Sequence, residues 1–240
     1  IRGVGVWRQW LEGHPLKLSR KILDDSGMTA VSLVRGGFFV GQTEEERRKA
    51  IDENKCCLDE AAVIGADQVV LVCGAVPGIP PAEARQQITE GIAACVDHAS
   101  RLGVKLSIEP LHPMHADCRS AVNTVGQCND MIDQLGAEHV GIAVDVYHVW
   151  WDPQLEQELN RAGKRILGFH VCDWMTPTTD MLNDRGLMGE GCIDNRGIRQ
   201  MVEKAGFNGW IEVEVFSTRH WARDQDKYLA DIIRAYREEV

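Results

Sequence analysis

The sequence predicts a single parallel barrel of the (β/α)8 type, lacking its first β/α unit in the chain as given. Three observations lead there. Short apolar runs alternate with amphipathic stretches, so strand and helix follow one another from Gly3 to the C-terminus. The strands read as apolar without alternation, as in a parallel sheet covered by helices. No linker or shift in composition divides residues 1–240, so one domain is expected. An open doubly wound sheet is the rival architecture. It would want a glycine fingerprint directly after a strand, and Gly189-Glu190-Gly191 has no strand before it.

Each element has its own signal. Gly3–Trp7 reads as a buried strand, and Leu16, Leu18, Ile22 and Leu23 as a helix ending near Gly27. Ala30–Val34 is a second strand, closed by Gly36–Gly37. Thr43 with Glu46 forms a capping box for a helix reaching Ile64–Gly65. Gln68–Val72 is a strand, followed by a helix from about Pro81 to Leu102–Gly103. Lys105–Ile108 is a strand ending in Glu109, and Val122–Leu135 is a helix. Gly141–Val144 is the next strand, with a helix expected to open at Pro153 and end at Ala162–Gly163. Ile166–Val171 is a strand, and Cys172–Cys192 a long loop. Asp194 caps a helix to Ala205–Gly206. Trp210–Val215 is the last strand and Asp224–Tyr236 the last helix. That makes seven strands, not eight. The chain opens at Ile1, without Met and already inside strand-like sequence, which is why an absent N-terminal unit is expected.

Composition narrows the partners. The net charge of −10, with no Lys/Arg block, speaks against a nucleic-acid backbone and suits a cation or a metal-bridged substrate. The eight cysteines form no C-x-x-C pair and sit among apolar residues, as in a reduced, cytoplasmic protein. No apolar run approaches the roughly 18 residues of a membrane span, and no signal peptide is visible, so no membrane association is expected.

In a β/α barrel, chemistry sits at the C-terminal ends of the strands. Those ends, in order, are Trp7, Arg35–Gly36, Cys73–Gly74, Glu109, Asp145, His170 and Glu212 or Glu214. A lone acid at a strand end is usually a cap or an ion-pair partner. Four consecutive ends bearing metal-ligand types are a different matter, because three uncompensated acids at one level would repel each other and raise one another's pKa. One divalent ion resolves the conflict. The oxygen-rich set favours Mn²⁺, Mg²⁺ or Co²⁺ over Zn²⁺. Glu212 and Glu214 share a strand face, so periodicity cannot choose between them. Glu214 is favoured because it lies nearer the strand end, which makes Glu212 a residue of the layer beneath.

The motifs I-E-P at 108–110, D-V-Y-H at 145–148, F-H at 169–170, G-E-G-C-I-D at 189–194 and G-W-I-E-V-E-V-F at 209–216 carry a resemblance. Their order over most of the chain resembles the xylose-isomerase-like TIM-barrel superfamily of sugar and sugar-phosphate isomerases and epimerases. The nearest branch is that of the ketose 3-epimerases and inositol-catabolism enzymes. The resemblance implies that Glu109, Asp145, His170 and Glu214 bind one divalent metal, and that Glu109 and Glu214 act as acid and base on opposite faces of a carbohydrate. It also implies that His148 and Arg185 hold substrate oxygens. The expected reaction is proton abstraction next to a carbonyl through an enediolate. One departure stands out. Ketose 3-epimerases carry a further substrate-contacting Glu six residues past the first ligand, where this chain has His115. The loop bearing His112 and His115, together with Trp7, Trp150, Trp151 and Trp174, is therefore expected to shape a different substrate, larger or glycosidic. The same intermediate can expel a β-leaving group, so a lyase acting on a 3-keto-glycoside, with His112 or His115 as acid, is the runner-up. An apurinic-endonuclease-like phosphodiesterase and a non-catalytic sugar-binding barrel are weaker alternatives. A homo-oligomer is left open.

Overall fold

The computed structural model describes residues 1–240. Seven parallel strands run side by side in chain order: β1 (Gly3–Trp7), β2 (Thr29–Gly37), β3 (Gln68–Val72), β4 (Lys105–Glu109), β5 (Val140–Asp145), β6 (Ile166–Val171) and, after a two-stranded ribbon of β7 (Asp173–Trp174) and β8 (Arg185–Gly186), β9 (Ile211–Val213). The helices between them are α1 (Leu16–Ser26), α2 (Glu44–Ile64), α3 (Pro81–Leu102), α4 (Val125–Leu135), the short α5 (Val146–Val149), α6 (Leu155–Ala162) and α7 (Asn195–Ala205). Two more follow β9: α8 (Thr218–Trp221) and α9 (Gln225–Glu239). The sheet curls into a nearly closed barrel. Glu212 on β9 reaches Ser32 on β2, with Ser32 Oγ donating to Glu212 Oε2 at 3.1 Å.

The core lies between sheet and helices. Leu33, Val69, Leu71, Leu106, Ile108, Ile142, Phe169 and Val171 point outward and pack with Leu58, Ile88, Ile92 and Val202 in one continuous cluster. The inward positions differ. Val34, Val70 and Ala143 form a small apolar layer capped by Trp7, while Ser32, Ser107, Glu109, Asp145, His170 and Glu212 are polar. The expectation of strands apolar on both faces therefore fails on β4, β6 and β9, where apolar and polar residues alternate. Those three strands carry Glu109, His170 and Glu212, and Glu214 directly follows β9.

Local chemistry sets the element ends. Thr43 Oγ1 accepts from Glu46 N while Glu46 accepts from Thr43 N, the reciprocal box expected for α2. Thr124, overlooked in the sequence, caps α4 and moves its start from Val122 to Val125. Pro153 does not open a helix. Asp145 caps α5 directly after β5, and α6 begins at Leu155. The loop 172–192 is not irregular throughout, because β7 and β8 pair within it. Gly37 must be glycine: its φ is +108°, and a Cβ would stand 2.0 Å from the Val72 carbonyl oxygen. No helix is long and apolar enough to cross a membrane, and none of the eight cysteines is in a disulfide.

Candidate metal centre and substrate site

Parallel strands in register bring the four expected ligands to one end of the barrel. Asp145 pairs with His170 across β5 and β6, and Glu109 closes β4. Glu214 N donates to Val171 O just past the paired part of β9. Ligand atoms of Glu109, Asp145, His170 and Glu214 all lie within 4.8 Å of one another, and only Glu214 is not fully buried. Around the rim the order is Glu109, Asp145, His170, Glu214, so the two glutamates flank the other two.

The donor set fits a divalent ion. Three carboxylates and an imidazole converge, and both ring nitrogens of His170 are buried without a hydrogen-bond partner. Nδ1 faces Glu109 Oε1 at 3.6 Å, and Nε2 faces Glu212 Oε1 at 3.4 Å. Burial opposes a charge on this ring, yet Glu109 and Glu212 hold its pKa well above the usual value. Without a metal the cluster therefore recruits a proton. Burial likewise drives the Asp145 carboxyl up to about 6, against the pull of Arg185. Glu212 is pushed up by burial, but His170 and Ser32 bring it below its ordinary value. It sits one layer beneath the cluster, in register with His170.

Arg185 is bonded into the carboxylate cluster itself. From β8 its Nη1 donates to Asp145 Oδ2 at 2.8 Å and to Glu214 Oε2 at 2.9 Å, and its guanidinium lies 4.3 Å over the Tyr147 ring. The arginine is held from behind. Its backbone N donates to Phe216 O, and Asp173 accepts from Gly189 N and Ile193 N to fold the loop that follows. Glu190 braces the same turn, accepting from Leu187 N, Arg219 and His220. Asp173 and the fully buried His220 are not among the residues the sequence singles out. The one available signal for Asp173 was an acid two residues past the end of a barrel strand.

His148 accepts the backbone N–H of His112 on Nδ1 at 3.1 Å, which leaves its ring hydrogen on Nε2. Burial and then Arg185 keep it neutral, with a pKa well below the usual value. Its Nε2 is 3.3 Å from Arg185 Nη2. Two donors thus meet, and the nearest carboxylate oxygen to both is Asp145 Oδ2, 3.8 Å from Nε2. Trp174 stands at the centre of an aromatic wall, stacked on His112 at 4.8 Å and beside Tyr147 and Trp150 at 4.8 and 5.6 Å. Trp151 packs edge-on to His112 and donates Nε1–H to His148 O. His115 lies edge-on to His148 at 6.0 Å. Trp7, at the end of β1, meets Phe216 edge-on at 5.1 Å. All the expected site residues therefore gather at the C-terminal end of the barrel. A separate cleft of about 390 Å³ opens at the other end, among Gln68, Lys105, Lys164 and Trp210, away from this cluster.

A family model described as xylose isomerase-like TIM barrel matches residues 4–239. The chain belongs to that family. Among curated relatives, an inosose isomerase from Bacillus velezensis is 27% identical over 229 residues, spanning 92% of this chain and 79% of the relative. Among solved structures, protein SMc04130 from Sinorhizobium meliloti 1021 is 47% identical with a TM-score of 0.96, covering 100% of this chain and 88% of that one. A structure of the IOLI protein with a binding zinc atom aligns with a TM-score of 0.85 at 22% identity, over 98% of this chain and 86% of that one. That last likeness speaks to the fold alone.

Proposed function

We propose that this chain is a divalent-metal-dependent isomerase or epimerase of a keto-sugar or a related polyol ketone, working by proton transfer next to a carbonyl. The observation that carries the reading is the rim order. Glu109 and Glu214 stand on either flank of Asp145 and His170, so two carboxylates can address opposite faces of one planar intermediate. The ion, when bound by Glu109, Asp145, His170 and Glu214, supplies Lewis-acid polarisation of the substrate carbonyl. One glutamate removes the proton from the adjacent carbon. The other returns a proton to the opposite face for epimerisation, or to the neighbouring carbon for isomerisation. Nε2–H of His148 and the guanidinium of Arg185 hold substrate hydroxyl or enediolate oxygens. The wall of Tyr147, Trp150, Trp174 and His112 keeps water from the intermediate. Trp7 closes the other side, and His115 fills the position beyond Glu109.

The inosose isomerase relative supports a polyol ketone as the substrate class. The zinc in the IOLI structure weighs against placing zinc behind manganese, magnesium and cobalt, so the ion is proposed only as divalent. The lyase reading is disfavoured by the histidines it needs. Burial lowers the pKa of His112, and burial together with Arg119 takes His115 down to about 4, which works against the imidazolium form of either.

Metal analysis of the purified chain tests the reading. About one divalent ion per chain is expected, lost on Asp145→Asn or His170→Ala with the fold retained. Full activity on a keto-sugar after exhaustive chelation would rule the mechanism out.

A further inference from the structure

Two arginines at the barrel mouth have no role in the chemistry above. Arg35 lies two residues before the end of β2, at a register shift: Val34 pairs with Val70 and Gly36 with Leu71, leaving Arg35 as the extra residue. A bulge of this kind puts two successive side chains on one face. Here Val34 packs in the barrel interior, while a Cβ on Gly36 would meet Asn54 and Leu71 on the outer side, so Arg35 is turned toward the mouth. Arg119 comes from the loop after β4. Gly74 N donates to Arg119 O, and Ala121 N donates back to Gly74 O, which pins the Arg119 backbone to the end of β3. Because β2 and β3 are neighbours, with Gly37 opposite Val72, the two arginines occupy adjacent rim positions.

Neither guanidinium has a carboxylate partner or a side-chain hydrogen bond. Arg35 rests over the Phe38 ring at 4.8 Å. The Arg119 Nε is buried with no acceptor. Such a donor is rare in a native fold and calls for a partner. The ledger of charge points the same way. Asp145 and Glu214 bond Arg185, while Glu109 and Glu212 face His170. No carboxylate is bonded to Arg35 or Arg119. Burial first, and then Arg119, lowers the pKa of Arg35 against the pull of Glu109.

We propose that Arg35 and Arg119 form an oxyanion subsite that holds a phosphoryl or carboxylate substituent of the substrate. The planar, multi-donor guanidinium is suited to either group. The link to a substrate rests on the isomerase reading; the anion site does not.

The test uses the full chain, both chelated and loaded with a divalent ion. Inorganic phosphate and acetate are titrated calorimetrically into wild type, Arg35→Gln, Arg119→Gln and the two Lys variants. D-fructose 6-phosphate is compared with D-fructose on the loaded protein. Phosphate or acetate should bind the wild type and lose at least tenfold in affinity in each Gln variant, with partial recovery in the Lys variants. Affinity for neutral D-fructose should not move. The Gln variants should melt no lower than wild type, because they relieve a repulsion, whereas arginines acting as structural braces would lower the melting temperature. The anion that loses more to the Gln variants identifies the substituent. Absence of anion binding to wild type in both states, or binding undiminished in both Gln variants, overturns the proposal. If the chain takes up no divalent ion but phosphate behaves as stated, the isomerase reading falls and the arginine subsite stands.

Discussion

At the scale of single residues, the site is built on His170. Its two buried nitrogens face carboxylates on opposite sides, Glu109 toward the mouth and Glu212 from beneath. Glu212, 3.4 Å from Nε2, stands where an acceptor would leave Nδ1 free for a metal, the partnership that usually raises the basicity of a ligating imidazole. Glu212→Gln should therefore weaken metal affinity by about 10–100-fold, read by competition with a chromogenic chelator, without removing a ligand. Unchanged affinity would make Glu212 a passive filler. The choice between Glu212 and Glu214 shows what one sequence can carry. Period two places both on the inner face, and only their heights in the barrel separate them. The structure puts Glu214 within the cluster and Glu212 against Ser32, a residue 180 positions away whose pairing no local pattern announces.

At the scale of elements, strand ends carry ligands and the packing behind them fixes their height. Asn54, buried in the middle of α2, donates to Gly37 O at 2.8 Å and accepts from Gly37 N at 2.6 Å, so a helix grips the end of β2 just past Arg35. Asn54→Ala should cost about 1–3 kcal/mol, because it strands a buried N–H and a buried carbonyl. Urea unfolding would show the loss as a lower midpoint at unchanged slope. Boundaries set by propensity or capping were legible: α2 with its Thr43 box, α3 behind Pro81, and the glycine stops at Gly27, Gly65 and Gly103. Boundaries set by tertiary structure were not. Pro153 looks like a helix start, yet Asp145 starts α5 earlier by accepting Tyr147 N at 2.9 Å. The β7–β8 ribbon is organised by Asp173 from within β7 and by Phe216 O from beyond β9, and it is this ribbon that delivers Arg185. Arg185 was found through a motif. The route by which it reaches Asp145 was not readable from spacing.

At the scale of the whole molecule, the barrel gathers three carboxylates at one end, a conflict that the proposed metal would resolve. Asp145, with a folded pKa of about 6 against 3.8 in the unfolded chain, keeps its proton longer in the folded state. The metal-free protein therefore loses stability as pH rises from about 4 to 6, on the order of 3 kcal/mol for this fully buried group. His170 acts in the same direction. Its raised folded pKa contributes stability that is fully present below the unfolded value and is lost as pH rises through the folded one. A divalent ion displaces both protons, so its stabilising effect should grow with pH. The rise in melting temperature on adding metal should be small at pH 5 and large at pH 8, with chelated protein as reference; a rise independent of pH would mean that the ion binds elsewhere. The sequence carried the barrel and the gathering of Glu109, Asp145, His170 and Glu214, because both follow from residue types at strand ends. It did not carry the balance of charge around that cluster, which depends on how Arg185, Arg35 and Arg119 are aimed. The central claim, that Glu109 and Glu214 move a proton next to a carbonyl, is tested most directly by turnover in deuterium oxide. Metal-loaded protein given an inosose or a ketohexose should place deuterium on the carbon beside the carbonyl, and Glu109→Gln or Glu214→Gln should slow that exchange by about 10²–10⁴-fold. Product formed without deuterium, or exchange undiminished in both variants, would contradict the account.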